Sequence, residues 1–149
     1  MRISTKTRYG LRTMLEIAQN KGSKGVFQKE IASNQSLSNK YLDQIIHELK
    51  TSGLICNVKG KKSGYMLTRR PEDITVFDIH QAFEPDVCLV ECLSGNFLCE
   101  RSDKCLARGV WKQLNVIIIN YLRSVTLAGL INNPMAIENF EEISRADDK

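Results

Sequence analysis

Histidine is scarce in this chain, two in 149 residues, and the acid-base chemistry open to the protein is correspondingly thin. No Ser-His-Asp set, nucleotide-binding glycine loop or paired carboxylates in a glycine-rich frame can be read along it, so an enzyme is not expected. Long apolar runs are missing too, none approaching the roughly 20 residues that span a bilayer. The opening Met1-Arg2-Ile3-Ser4-Thr5-Lys6 carries charge without a following apolar stretch of signal-peptide length, which points to a cytoplasmic protein with no membrane partner. Internal repeats and low-complexity linkers are lacking. Acidic residues are few in one half only: residues 1–70 hold 14 Lys and Arg against 4 Asp and Glu, and residues 71–149 hold 7 against 13. A net charge of +4 therefore conceals a basic half suited to phosphate.

Within the basic half, Leu11, Met14, Leu15 and Ala18 recur at helical spacing and predict a first amphipathic helix over 5–19. Lys21-Gly22-Ser23-Lys24-Gly25 breaks it. A short helix is expected around Gln28 to Ser33, with Asn34-Gln35-Ser36 as the turn. Ser38 then stands as N-cap of a further helix, with Leu37 and Leu42 placed as a hydrophobic staple. That helix runs through Ile45, Ile46 and Leu49 to Lys50, and Gly53 and Leu54 provide a left-handed stop and its apolar partner. Two helices joined by a tight turn make a helix-turn-helix. Strand-like Leu54–Val58 and Tyr65–Leu67, joined by Lys59-Gly60-Lys61-Lys62-Ser63-Gly64, make a wing whose lysines reach toward a minor groove or flanking phosphates.

Thr75 with Asp78 forms a capping box for a helix of Val76, Ile79, His80 and Phe83, stopped by Pro85. Residues 86–102 read as irregular. The longest helix is expected over 103–123, where Leu106, Val110, Trp111, Leu114, Ile117, Ile118, Ile119, Tyr121 and Leu122 cover more than one stripe; the excess requires burial against a partner chain. Thr126 caps a last short helix over 127–132, and the acidic tail from 134 is expected to fray. The fold class is mainly α with a small β-hairpin. Four parts result: a winged helix-turn-helix over 1–84, a cysteine-bearing loop over 85–102, dimerisation helices over 103–133 and a flexible tail over 134–149.

Five cysteines in a reducing compartment serve as metal ligands or redox thiols more readily than as structural disulfides. Cys56 reads as a small buried apolar residue within a strand. Cys88, Cys92, Cys99 and Cys105 fall together around the polar loop. Soft iron prefers thiolate, and gaps this irregular converge on one centre only from a loop, since neither helix nor strand periodicity aligns them.

The motifs Arg2-Ile3-Ser4-Thr5-Lys6-Thr7-Arg8-Tyr9-Gly10-Leu11, Ile31-Ala32, Leu37 through Ile45, Gly53-Leu54 and Val58 through Tyr65 together resemble the Rrf-two family of bacterial winged-helix regulators over residues 1 to about 133. The resemblance implies a homodimer on a palindromic operator in double-stranded DNA, joined through the long helix, with the recognition helix 38–51 in the major groove. It places Ser38, Asn39, Lys40, Tyr41 and Gln44 near DNA, Lys59 with Lys61 and Lys62 at the wing, and Asp43 where an acidic side chain tests bases. A carboxylate there accepts from a cytosine amino group and is repelled by phosphate, so it serves discrimination more than affinity. For Tyr41, packing on the helix-turn-helix core is the alternative; for Asp43 and Gln44, a solvated face.

The resemblance also implies that Cys92, Cys99 and Cys105 hold an iron-sulfur cluster, [2Fe–2S] or [4Fe–4S], which the CymR branch of the family lacks. Relatives complete the ligand set with a histidine three residues after the last cysteine or with an aspartate near the start of the first helix; this chain has Arg108 and Arg8 there. Arginine stays protonated and cannot ligate iron. Cys88 is the chemically best replacement, ahead of Glu91, Glu100, Asp103 and His80. The expected function is a DNA-binding transcriptional regulator, most simply a repressor, sensing redox, nitric oxide or iron status. A zinc site or a thiol-disulfide switch in the same loop is one alternative, and a structural interaction protein that binds no DNA is another.

Overall fold

Four of the six α-helices among the described residues start on a hydroxyl. Ser4, Ser38, Thr75 and Thr126 each lie in extended backbone one residue before a helix and accept a hydrogen bond from the backbone N–H three residues on. Each satisfies a donor that the first turn would otherwise leave orphaned. In the computed structural model, which describes residues 3–60, 63–84, 86–95 and 99–133, these caps open α1 (Thr5–Gln19), α3 (Asn39–Thr51), α4 (Val76–Phe83) and α6 (Leu127–Asn132). The other two helices start differently. In α2 (Gln28–Gln35) the Glu30 carboxylate reaches back to accept from the Phe27 N–H at 2.9 Å. The longest helix, α5 (Leu106–Ser124), begins at Cys105 with no side-chain cap.

The predicted stop of α3 is present in full. Gly53 sits at φ 72°, its N–H donates to the Lys50 carbonyl at 3.0 Å, and the Leu54 N–H donates to the Leu49 carbonyl at 3.0 Å. These are the paired bonds of a Schellman stop, and Leu54 is buried behind them. The turn between α2 and α3 differs from expectation: α2 continues two residues past Ser33, and the chain reverses at Ser36, a left-handed serine at φ 54°. Its short polar side chain tolerates that conformation, and the Leu37 N–H closes onto the Ala32 carbonyl at 2.9 Å.

Strands β1 (Ile55–Asn57) and β2 (Tyr65–Leu67) pair antiparallel, with Cys56 opposite Met66. Cys56 is half-buried, because this hairpin has only one face on the core. Val26 then pairs with the outer side of β2, exchanging N–H···O bonds of 3.0 and 2.8 Å with Tyr65. The approach is close enough to demand glycine: a Cβ at Gly64 would lie 2.4 Å from the Val26 backbone, and one at Gly25 2.6 Å from the Tyr65 carbonyl oxygen. The wing is thereby fastened to the helical body.

One core joins these pieces. Met14 and Ile17 of α1, Ile31 of α2, Leu42, Ile45, Ile46 and Leu49 of α3, Leu54 and Ile55 of the hairpin, Ile74, and Ile79 of α4 are buried together. Leu127 of α6 completes the cluster. The last helix, expected to serve dimerisation, thus turns back into the body of the molecule, where the Leu127 N–H bonds the Ile74 carbonyl at 3.0 Å and the Val76 N–H bonds the Val125 carbonyl at 2.8 Å. Helix α5 starts at Leu106, three residues later than expected, because 101–104 form turns. Residues 86–102 are not wholly irregular, since Glu91–Leu93 make a 3₁₀ turn that packs on α5. Lys61, Lys62, Pro85 and the acidic tail from 134 lie outside the described residues. Among the described residues no helix is long and apolar enough to cross a membrane.

Candidate nucleic-acid interface and cysteine loop

Burial of Leu42, Ile45, Ile46 and Leu49 decides what α3 presents to solvent. With that stripe inward, Asn39, Lys40, Asp43 and Gln44 are exposed on its N-terminal half, a short row of donors and acceptors free of apolar side chains. Ser38 is exposed at the tip, its hydroxyl accepting the Tyr41 N–H at 3.2 Å. Tyr41 is half-buried and meets Tyr9 edge-on, ring centroids 6.1 Å apart, while the Arg12 guanidinium lies 5.1 Å from the Tyr9 centroid. The ring therefore packs between α3 and α1. Lys59 is exposed on the wing, beyond Asn57, whose amide oxygen accepts from the Lys50 ammonium at 2.7 Å. Two residues missed from sequence, Gln28 and Tyr65, join the site. Gln28, the first residue of α2, donates through Nε2 to Asp43 Oδ1 and accepts the Tyr65 hydroxyl at Oε1, 3.1 Å away.

The cysteine loop begins where α4 ends, at a polar clasp. Glu84 Oε1 accepts the Ser4 N–H at 3.1 Å and the Thr7 hydroxyl at 2.5 Å, tying the start of α1 to the end of α4. Burial pushes the Glu84 carboxyl up, but the hydrogen bonds from Thr7 and Ser4 and the nearby His80 outweigh it and hold the group below its ordinary range. His80 is buried, with Nε2 3.9 Å from Glu84 Oε2; it is a core residue behind this clasp. From there Val87 is buried, and the Leu89 N–H donates to Asn115 Oδ1 at 3.0 Å, so the loop leans on the middle of α5.

All five cysteines are free thiols: Cys105 is exposed and Cys56, Cys88, Cys92 and Cys99 are half-buried. A cavity of about 490 Å³ opens between the loop and α5, lined by Leu93, Ser102, Cys105, Arg108, Lys112 and Asn115 among others. As chemistry, thiolates suit a soft iron centre, and Cys105 is the one of the four loop cysteines that lines this cavity. As geometry, they are spread out: among the described residues no three His, Cys, Asp or Glu side chains are gathered closely enough to hold a metal ion. Arg108 lines the cavity with Cys105 and brings a fixed positive charge, not a ligand, to that place.

Comparison with known proteins settles the family. A model described as Rrf2, iron-dependent transcriptional regulator, matches residues 3–133. The chain belongs to the Rrf2 family. It is similar to the protein rrf2 of Nitratidesulfovibrio vulgaris, 36% identical over 133 residues that cover 89% of each chain. Two solved structures are similar as well: CymR, the global cysteine regulator of B. subtilis, with 34% identity, a TM-score of 0.72 and coverage of 87% of this chain and 95% of that one, and an IscR from T. potens with 34% identity, a TM-score of 0.69 and coverage of 90% and 88%. This Rrf2 chain is a DNA-binding transcriptional regulator, not an enzyme, and its hairpin is the wing of a winged-helix fold.

Proposed function

We propose that the protein acts in the cytoplasm as a homodimeric repressor whose cysteine loop senses redox, nitric oxide or iron status and adjusts its grip on a two-fold operator. The observation that carries this reading is on α5. Leu106, Val110, Leu114, Ile117 and Tyr121 recur at four- and three-residue steps along one side, and their exposure runs from 39% at Leu114 to 94% at Leu106. A stripe of this length is costly to leave in water and matches the seam between two copies of one helix, and it starts next to Cys105.

In this reading residues 1–84 and the returning α6 form the DNA-binding body, and the rest of α5 the dimer seam. Asn39, Lys40, Asp43 and Gln44 face base edges in the major groove. Ser38, at the helix tip, and Lys59, with Lys61 and Lys62 on the wing, meet the sugar-phosphate backbone. Cys92, Cys99 and Cys105 are the thiolates that would hold an iron-sulfur cluster, with Cys88 the available fourth. A cluster bound there supplies a cross-link that oxygen, nitric oxide or iron loss removes. The chain's own part is mechanical: Leu89 ties the loop to α5 through Asn115 and the loop's far end runs on into α5 at Cys105, while Glu84, just before the loop, ties its start to α1, which packs against α3. Loop order is thus connected at one end to the dimer seam and at the other to the recognition helix.

Anaerobic isolation tests the reading. Brown protein with visible charge-transfer absorption, iron and sulfide in stoichiometric amounts, and a dimeric mass is the expected result. A thiol-disulfide switch is the second reading, since the thiols are free and such a switch needs two of them rather than the larger donor set that a metal requires and that is not gathered among the described residues. Colourless protein whose thiol count falls by two on mild oxidation would replace the cluster with that switch, and tightly bound zinc would replace it with a structural metal.

A further inference from the structure

We infer that Gln28 is a specificity-determining positioning residue: its side-chain amide, held between wing and recognition helix, fixes the Asp43 carboxylate that reads a base. The inference rests on the reading above in which the exposed row of α3 faces DNA bases.

The direction of the hydrogen bonds follows from the groups alone. An ionised carboxylate only accepts, so the Gln28 amide must turn its nitrogen to Asp43. That leaves Oε1 toward Tyr65, and an amide oxygen only accepts, so the phenol must donate. Burial, together with the charge of Asp43, pushes the Tyr65 phenol up from its ordinary value, which keeps that donor protonated. Tyr65, Gln28 and Asp43 therefore form a chain of donors running one way, and each bond polarises the next. Both ends are anchored. Tyr65 is bonded through its backbone to Val26, two residues before Gln28, and Asp43 stands on α3, whose opposite side is fully buried.

The carboxylate has other partners within helical reach. Lys40 lies three residues before it and His47 four residues after, the spacings at which side chains on one helix meet. Neither is paired with Asp43 among the described residues. Released from Gln28, the exposed carboxylate is free to swing to the Lys40 ammonium or the His47 ring and lose its fixed aim at a base edge. A carboxylate held still can accept from a cytosine amino group while rejecting bases that present only acceptors at that point. Gln28 thereby makes wing and recognition helix one reading surface, without touching DNA itself.

The test uses the full-length dimer and a duplex that the wild-type protein selects from a randomised pool. Binding is measured on that duplex and on its single-base variants at fixed salt for Asp43→Ala, Gln28→Ala and Tyr65→Phe. Asp43→Ala and Gln28→Ala are expected to relax preference at the same base pair, by about tenfold, with unchanged salt dependence. Tyr65→Phe should relax that position less, and it keeps the question open to measurement if Gln28→Ala fails to fold. Loss of preference in Asp43→Ala alone, with Gln28→Ala and Tyr65→Phe as selective as wild type, would overturn the inference and leave the reading of α3 intact. Unchanged preference in all three would overturn both.

Discussion

Helices α3 and α5 are both amphipathic, and they dispose of their apolar faces in opposite ways. In α3 all four inward aliphatics, Leu42, Ile45, Ile46 and Leu49, are buried within one chain, and a hydroxyl cap and a Schellman stop close its ends. In α5, nineteen residues long, Leu122 is the one buried side chain. That helix starts uncapped at Cys105 and touches its own protomer mainly through α4, where Arg123 lies 4.4 Å from the Phe77 centroid, and through the Glu91–Leu93 turn. A helix that completes its packing within the chain can be judged from one chain. One that does not, as α5 in the proposed dimer, needs a second chain to complete it, and the cysteine loop at its base inherits that dependence.

Substitutions that attack each side of this contrast should give effects of different kinds. The largest is expected in the core: Leu42→Ala removes a fully buried side chain and should cost about 2–5 kcal/mol in denaturant unfolding. At the seam, Ile117→Glu is expected to leave helix content unchanged while weakening the dimer by roughly 3 kcal/mol, since a charge would have to be buried there. Analytical ultracentrifugation across a dilution series reads this, and an unchanged dimer would remove α5 as the seam.

Glu84→Gln addresses the clasp between the two regions. The folded carboxyl is held below its ordinary value of 4.5, so it adds stability that is fully present above that value and disappears as pH falls through the lower folded one. Wild type should therefore exceed the variant by about 1 kcal/mol near neutrality, and thermal unfolding curves should converge in acid. A gap that persisted at low pH would assign the loss to packing. The smallest effect belongs to Lys59→Ala, which should weaken binding to all duplexes alike and lower the salt slope by about one.

Legibility followed the same division. Ser38, Gly53, Leu54 and the Thr75–Asp78 box act through neighbours a few residues away, so their bonds could be anticipated from local spacing. The Gln28–Asp43 and Gln28–Tyr65 contacts join residues 15 and 37 positions apart, and no periodicity announces them. Glu84 was missed for the same reason, its partners being Ser4 and Thr7. The return of α6 to the core was hidden because Leu127 looks the same in sequence whether it faces a partner or its own body. The cysteine spacing revealed a donor set suited to iron, but gathering four thiols depends on a loop conformation that local rules do not determine.

The central claim is that the loop at the base of α5 governs DNA affinity. Its most direct test is the affinity of anaerobically isolated, iron-loaded protein for the selected duplex, measured beside the same preparation after iron removal and beside Cys99→Ala. Loaded and stripped protein are expected to differ by about tenfold, an ordinary allosteric coupling, and Cys99→Ala, still a folded dimer, is expected to bind like the stripped form. Equal affinities for all three, with iron verified in the first, would contradict it.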